Sequence, residues 1–192
     1  MLLAPDFYEE LIEKCTDLSL EFIAQFEDVE VDAIMVGDDW GGQRGLLMGP
    51  ELWRKFIKPQ AARIYEAIRR QGKYNFTHCC GSIADIYPDL IEIGFQVHES
   101  VQPEAEGMNP YEIKQKFGDK LTFWGCVGSQ ELIPFGTPGR IRTEIRNLCQ
   151  EMRNGGGYIL KLAKDIRPET PVENAAAAFE AFTEQETIAL SK

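Results

Sequence analysis

One stretch decides the fold of this chain: Tyr74-Asn75-Phe76-Thr77-His78-Cys79-Cys80-Gly81-Ser82. It is a short apolar run that ends abruptly in one imidazole, two thiols and a glycine, and a helical pattern of apolar residues follows it over 83–91. Such a run predicts a β-strand whose carboxyl end carries soft metal ligands. In α/β proteins with parallel strands, ligands bind at that end of the sheet.

The spacing of the three ligand-type residues has a geometric meaning. Side chains alternate along a strand, so His78 and Cys80 point the same way while Cys79 points to the opposite face. His78 and Cys80 can therefore share one zinc ion, and a catalytic zinc needs a third protein ligand from elsewhere in the chain. The alternative is that all three are buried core residues, since cysteine is among the most buried residue types.

The rest of the chain repeats a unit of one helix and one strand. The alternation predicts an α/β fold with parallel strands, either an open doubly wound sheet or part of a (β/α)8 barrel. Asp6 is expected to cap the first helix, and Pro59 to kink or break the second. Strands are predicted at 31–37, 74–78, 95–98, 121–127 and 158–160, and helices at 6–28, 51–70, 82–93, 109–118, from 137 to the glycines at 155–157, and at 171–190.

Composition narrows the class of protein. A chain of 192 residues with 44% hydrophobic content is expected to form a single domain over 1–192. No apolar run is long enough to span a bilayer and the start lacks a signal-peptide pattern, so we expect a cytoplasmic protein. Five cysteines in such a protein are reduced thiols or metal ligands. The net charge of -11 disfavours nucleic acid and anionic membranes as partners, which leaves a small-molecule substrate.

Polar side chains collect after the predicted strands, and this clustering is the main argument for an enzyme. Asp38 and Asp39 can supply an acid with a raised pKa, a zinc ligand or a partner of one, although an acidic turn is the alternative. Lys164 is either a site residue or a solvated surface lysine. In strand order the groups are Asp38, Asp39, Trp40 and Arg44; His78 and Cys80; His98, Glu99 and Gln102; Cys126, Ser129 and Gln130; Lys161, Lys164 and Asp165.

Several phrases, in the same order along the chain, resemble the uroporphyrinogen decarboxylase superfamily. The resemblance covers essentially all 192 residues and corresponds to the later five βα units of the family's barrel. It implies a partial (β/α)8 TIM-type barrel with parallel strands. The phrases are Gly37-Asp38-Asp39-Trp40-Gly41-Gly42-Gln43, His78-Cys79-Cys80-Gly81, Phe135-Gly136-Thr137-Pro138 and Pro168-Glu169-Thr170-Pro171-Val172-Glu173-Asn174, together with the runs 49–59, 117–125 and 156–160.

The superfamily implies two chemistries, which are decarboxylation of uroporphyrinogen and zinc-dependent methyl transfer between corrinoid proteins and thiols. The His-x-Cys-Gly phrase resembles the zinc motif of the methyltransferases, so His78 and Cys80 carry over as metal ligands. Where those enzymes place a third, cysteine ligand, this chain has Lys164. A protonated lysine cannot ligate zinc, so the third ligand is expected from Asp38, Asp39, Glu99 or Cys126.

The resulting hypothesis is zinc-dependent methyl transfer from a corrinoid, held by a partner protein, to a thiol. Decarboxylation of a tetrapyrrole in porphyrin biosynthesis is one alternative, and a non-catalytic subunit is another. A five-unit fragment leaves two sheet edges, so self-association or a partner subunit that completes the barrel is also expected. The expected catalytic residues are Asp38, Asp39 and Lys164, and the expected substrate-binding residues are Trp40, Arg44, His98 and Gln130.

Overall fold

The computed structural model describes the backbone of residues 1–190 and the side chains of residues 1–185. The strands are β1 (Ala33–Gly37), β2 (Gly41–Gly42), β3 (Gly45–Leu46), β4 (Tyr74–His78), β5 (Val97–Val101), β6 (Thr122–Val127) and β7 (Tyr158–Leu162). The helices are α1 (Pro5–Ala24), α2 (Pro50–Leu52), α3 (Lys58–Arg70), α4 (Tyr87–Glu92), α5 (Pro110–Phe117), α6 (Leu132–Phe135), α7 (Pro138–Met152) and α8 (Val172–Leu190). A π-helical turn, Trp53–Ile57, joins α2 to α3, and a 3-10 turn, Ala84–Ile86, precedes α4.

The five longer strands form one parallel sheet in the order β1-β4-β5-β6-β7. Spatial order therefore follows chain order, without the reversal that defines a doubly wound sheet. The predicted parallel α/β fold is confirmed, and the strand order selects a partial TIM-type barrel from the two architectures that the sequence allowed. Within the described residues the sheet does not close, and β1 and β7 form its edges. The remaining two strands, β2 and β3, form a small antiparallel hairpin.

The sheet has one face that packs against helices and one that does not. On the first, Phe123 of β6 belongs to the hydrophobic core together with Ile141 of α7 and Tyr65 of α3. The other face, which we call the open face, carries the side chains of alternate positions, such as Phe76 and Trp124, whose rings meet edge to face. The strand register pairs Gly37 with His78, His78 with Glu99, and Glu99 with Trp124, so His78 and Glu99 also lie on the open face.

Several predicted boundaries differ from the structure, and two of these differences have structural consequences. The first helix begins at Pro5 with Ala4 in the cap position and without a side-chain cap, so Asp6 lies in the first turn. Proline suits this position because its missing N–H would have no helical partner there. The third strand runs over Val97–Val101 rather than 95–98, a shift with consequences for His98. The interruption expected at Pro59 is confirmed, because the π-helical turn Trp53–Ile57 ends just before it.

The apolar side chains whose spacing predicted helix α1 form an exposed stripe in the structure. The buried side of the helix is formed by Thr16 and Ile23, with Ile12 packed partly against the core. The stripe instead faces away from the chain's own core and continues past the helix to the edge strand β1, where Met35 is also exposed. A contiguous exposed apolar surface of this kind marks a contact surface. Its residues are Phe7, Leu11, Leu18, Phe22 and Phe26.

The adjacent residues Phe22 and Ile23 test which side of α1 is buried. Phe22 is 61% exposed and Ile23 is 4% exposed. We expect Ile23→Ala to lower the free energy of unfolding by about 2–5 kcal/mol, since it leaves a cavity. Phe22→Ala should change it by only about 0.5 kcal/mol. Urea denaturation at low protein concentration measures both, and an equal loss in the two variants would show that the stripe is covered in solution.

The part of the chain that the structure describes contains no helix long and apolar enough to cross a membrane.

Candidate metal centre

Three side chains of different chemistry converge at the carboxyl ends of β1 and β4. The ligand atoms of Asp39, His78 and Cys80 all lie within 4.8 Å of one another. The Cys80 Sγ is 3.2 Å and the Asp39 Oδ1 is 3.6 Å from the His78 Nε2. His78 and Cys80 thus share one side of the strand end, as the alternation of strand side chains predicts. Among the described residues, this is the one group of three or more His, Cys, Asp or Glu side chains with metal-binding geometry.

The backbone around the cluster depends on two glycines. A Cβ atom on Gly41 would lie 2.4 Å from the carbonyl oxygen of Cys80, closer than any real contact. Gly81 has φ of +74°, and a Cβ there would lie 2.7 Å from Gly41. The loop after β1 therefore packs directly on the turn after β4. This contact lets the Asp39 Oδ1 accept a hydrogen bond of 2.9 Å from the Cys80 N–H, which holds the two candidate ligands together.

Cys79 lies on the other side of the turn, as predicted. It is fully buried, and its Sγ accepts a hydrogen bond of 3.4 Å from the Trp40 backbone N–H. Burial raises the pKa of its thiol to about 12. Cys79 is therefore a packed core thiol, whereas Cys80 is half-buried beside the imidazole.

Glu99 fixes the orientation of the His78 ring. Its carboxylate, almost fully buried, accepts hydrogen bonds from His78 Nδ1 and from the Lys161 ammonium. Burial alone would raise the pKa of Glu99, but Lys161 and His78 outweigh it and lower the pKa below 4.5. An ionised carboxylate only accepts hydrogen bonds, so the His78 Nδ1 donates to Glu99 and the Nε2 points at Asp39 and Cys80. Metal-ligating histidines are commonly oriented in this way.

Lys164 supplies a positive charge at the same place. Its Nζ lies 3.4 Å from the His78 Nε2, and a hydrogen bond with Cys80 raises the pKa of the ammonium. The pKa of Asp39 is lowered, chiefly by the Cys80 N–H, with smaller contributions from His78 and Lys164. The cluster therefore combines a carboxylate, an imidazole and a thiol with one ammonium. The expectation that Lys164 belongs to the site agrees with this placement.

The donor set fits zinc. Imidazole nitrogen, thiolate sulfur and carboxylate oxygen are its usual ligands, and three of them leave a fourth position open. Two ligands of a tetrahedral zinc are about 3.4–3.6 Å apart, close to the separations of 3.2 and 3.6 Å seen here. Of the four candidates for the third ligand, the structure brings Asp39 to the cluster. Glu99 is bound to His78, and Cys126 is buried elsewhere, beside Glu104.

Asp38 is not part of the cluster, which corrects its expected place among the catalytic groups. Strand alternation continues past β1, so Asp39 points to the open face and Asp38 to the helix side. There Asp38 lines a cavity of about 160 Å³ with Trp40, Tyr65 and Thr77. Burial raises the pKa of Asp38, an effect that the Trp40 indole partly offsets.

His98 and Trp40 are not placed to bind substrate on the open face. Because β5 continues past His98 to Val101, the ring lies within the strand and points at the helices. Both of its nitrogens are used inside the core, at 2.7 Å from the Tyr87 hydroxyl and 2.8 Å from the Cys79 carbonyl oxygen. Trp40 is 3% exposed and packs edge to face on Trp53. Both expectations are corrected, since these side chains belong to the core.

The two other expected substrate-binding residues lie on loops. Gln130 donates its backbone N–H to Glu104 Oε1 at 2.8 Å, in the loop between β6 and α6. Arg44 is exposed in the turn of the β2–β3 hairpin. A contribution of another kind comes from Gln102, whose Oε1 accepts the Gly81 N–H at 2.7 Å and so braces the turn after β4. Its sequence signal was its position after the third strand.

A singly wound parallel sheet with a carboxylate, imidazole and thiol at its carboxyl edge defines a barrel-type α/β protein with a candidate metal centre. The comparisons with known proteins agree. Residues 1–185 match the family model described as "Uroporphyrinogen decarboxylase (URO-D)". The chain belongs to the uroporphyrinogen decarboxylase family.

This chain spans about half the length of the curated relatives and of the solved structure described here. It is 25% identical to a uroporphyrinogen decarboxylase of Coxiella burnetii, and the match covers 92% of this chain and 47% of that protein. It is 26% identical to one of Syntrophotalea carbinolica, with coverages of 92% and 48%. A methyltransferase from Methanosarcina mazei superposes with a TM-score of 0.68 at 25% identity, covering 92% of this chain and 49% of that one.

The buried His98 makes stability depend on pH. Burial lowers the pKa of His98 to about 4 from its ordinary 6.5, so the unfolded chain binds this proton more tightly. Stability is therefore lost as pH falls through 6.5 towards 4, by about 2–3 kcal/mol at pH 4.5. Urea denaturation at pH 7.5 and 4.5 measures this. His98→Gln, which retains hydrogen-bonding groups, should reduce the difference by that amount; equal pH dependence in both proteins would contradict the assignment.

Proposed function

We propose that this chain carries the zinc site of a methyltransferase that moves a methyl group between a corrinoid protein and a thiol. The observation that carries the proposal is the convergence of Asp39, His78 and Cys80 within 4.8 Å at the carboxyl edge of the sheet. The likeness to a solved structure described as a methyltransferase supports it. Membership of a family of enzymes supports a catalytic role in general.

The chain's own residues prepare this site for a metal and a thiol. A zinc ion held by Asp39, His78 and Cys80 would lower the pKa of a substrate thiol that takes the fourth position. Glu99 fixes the His78 ring with its Nε2 directed towards the other ligands. Burial raises the pKa of Cys80, while Lys164 acts in the opposite direction and favours the thiolate that a metal requires.

Lys164 also gives the site a means of binding an anionic substrate. An ammonium has no lone pair, so it cannot be a ligand, and at 3.4 Å from His78 Nε2 it has to move when a cation binds there. Its flexible stem then carries the positive charge to the rim of the metal site. There it can pair with a carboxylate or sulfonate on the thiol substrate. Arg44 is a second candidate for the same role from the hairpin.

Decarboxylation is the second candidate function. The observations that favour it are the names of the curated relatives and the two ammonium groups, Lys161 and Lys164, near His78. Cations at that position would stabilise carboxylates of a tetrapyrrole in porphyrin biosynthesis. Decarboxylation is the second candidate because Lys161 is already paired with the buried Glu99.

We further propose that the active assembly contains polypeptide beyond these five βα units. The edge strand β1 and the exposed stripe of α1 are adjacent, and both are suited to another βα unit. A second copy of the chain or a separate subunit would cover them, in addition to a corrinoid protein as methyl donor. A non-catalytic role in such an assembly remains the third candidate.

Zinc content tests the metal site. The purified chain, kept reduced, should hold about one zinc per chain by elemental analysis. Asp39→Asn and Cys80→Ser should each weaken zinc binding by more than the roughly 10–100-fold expected when a partner of a ligand is lost. Asp38→Asn and Cys15→Ser are the matched controls and should retain the metal, since neither side chain is in the cluster. Equal loss in Asp38→Asn and Asp39→Asn would contradict the assigned ligands.

The reaction itself separates the candidate functions. We expect the zinc-loaded chain, supplied with a methylated corrinoid and a thiol such as coenzyme M, to form the methyl thioether. Glu99→Gln should slow this reaction, because an amide neither neutralises Lys161 nor holds the His78 proton as strongly. Release of carbon dioxide from uroporphyrinogen without methyl transfer would instead support decarboxylation. Neither reaction, in the presence of bound zinc, would favour the non-catalytic role.

A further inference from the structure

The exposed stripe of α1 borders a groove at the edge of the sheet. The groove has a volume of about 400 Å³ and lies between α1 and the edge strand β1. Phe22 and Phe26 of the stripe line one wall. Val31, Ala33 and Met35 line the other, and β1 has no strand on its outer side within the described residues. An exposed apolar surface beside an unpaired strand edge is suited to binding another polypeptide.

The charges around this surface are of one sign. The stretch 15–37, which covers the second half of α1 and all of β1, contains six acidic residues and no Lys, Arg or His. Lys14, which precedes it, pairs with Glu10, and Arg63 of α3 pairs with Asp17. The surface therefore has an apolar centre and an acidic border. The six acidic residues, all exposed, are Asp17, Glu21, Glu27, Asp28, Glu30 and Asp32.

This charge disfavours two of the possible occupants. A second copy that places its own stripe against this one brings like charges face to face, and every other face of that copy belongs to a chain with a net charge of -11. A membrane surface is disfavoured as well. Helices that lie on membranes carry Lys and Arg on their polar side, because many lipid headgroups are anionic. The charge instead favours a polypeptide with basic residues.

We propose that the stripe of α1 and the groove beside β1 bind an amphipathic helix from outside this chain, with an apolar face flanked by lysine or arginine. Its apolar side chains pack on the stripe and fill the groove, and its cations pair with the acidic border. Hydrophobic grooves on proteins bind amphipathic helices in this way, through anchors at helical spacing. The surface shares no residue with the metal cluster, so binding depends neither on zinc nor on the proposed methyl transfer.

Two labelled peptides test the proposal, each a helix of about 18 residues with leucines at helical spacing. One peptide carries lysines beside the leucines, and the other carries glutamates at the same positions. Fluorescence anisotropy with the full chain, at an ionic strength of about 0.15 M, should show one lysine peptide bound per chain. The glutamate peptide should bind roughly tenfold more weakly or less. No binding of the lysine peptide, or equal binding of both, would overturn the proposal.

Matched phenylalanine variants locate the binding surface. Phe22 in α1 and Phe179 in α8 are equally exposed, at 61% each. Phe22→Ser should weaken binding of the lysine peptide roughly fivefold or more, since it removes an apolar anchor. Phe179→Ser should leave the affinity unchanged. An equal loss in both variants would show unspecific attraction between a cationic peptide and an acidic protein.

Matched charge reversals test the acidic border. Asp28→Lys combined with Glu30→Lys should weaken binding of the lysine peptide. Glu106→Lys combined with Asp119→Lys changes the net charge by the same amount in exposed loops elsewhere and should weaken it less. Equal effects of the two double variants would mean that net charge alone attracts the peptide, which would overturn the assigned border.

Sedimentation and vesicle binding distinguish the other occupants. We expect the chain alone to leave its stripe uncovered, so Phe22→Ser should not change its sedimentation. A dimer that Phe22→Ser dissociates would show that a second copy occupies the stripe. Binding of the chain to phosphatidylcholine vesicles that Phe22→Ser abolishes would assign the stripe to a membrane. Either result would overturn the proposal.

Discussion

The buried carboxylate of Glu99 is the interaction on which the candidate site depends. It lies between two positively polarised groups, His78 Nδ1 and the Lys161 ammonium, and it is almost fully removed from water. A buried charge is stable only when it is paired and hydrogen-bonded, and here both conditions are met by side chains from two different strands, β4 and β7. The same pairing fixes the direction of the imidazole. The pairing that stabilises the buried Glu99 carboxylate is therefore also the one that orients His78 for a metal.

A second constraint is the two-residue period of the strands. It places the two members of three neighbouring pairs on opposite faces of the sheet. The pairs are Asp38 and Asp39, Cys79 and Cys80, and His98 and Glu99. In each pair the first side chain enters the helix-side packing and the second reaches the open face. Each strand end thus supplies one group to the core and one to the site. A shift of register by one residue would exchange their roles.

This period decides which side-chain directions could be predicted from the sequence. The common direction of His78 and Cys80 is local and follows from two residues of spacing, so it could be predicted. The direction of His98 could not, because the strand ends three residues later than its apolar run suggests. The contact between Glu99 and Lys161 depends on strand order, which no local pattern contains. The same holds for α1, whose periodicity predicts a helix but cannot say which side meets the core.

The candidate ligands and the surfaces around them depend on different parts of the fold. Every candidate ligand and every group that orients one comes from β1, β4, β5 or β7 and the loops that follow them. The candidate ligands therefore all come from the parallel sheet and its loops, although the chain spans about half of the length of its relatives. The open face and the stripe of α1, in contrast, carry apolar side chains that remain exposed. The candidate ligands thus come together without residues from outside this sheet, whereas enclosure of any ligand above them depends on what covers the open face.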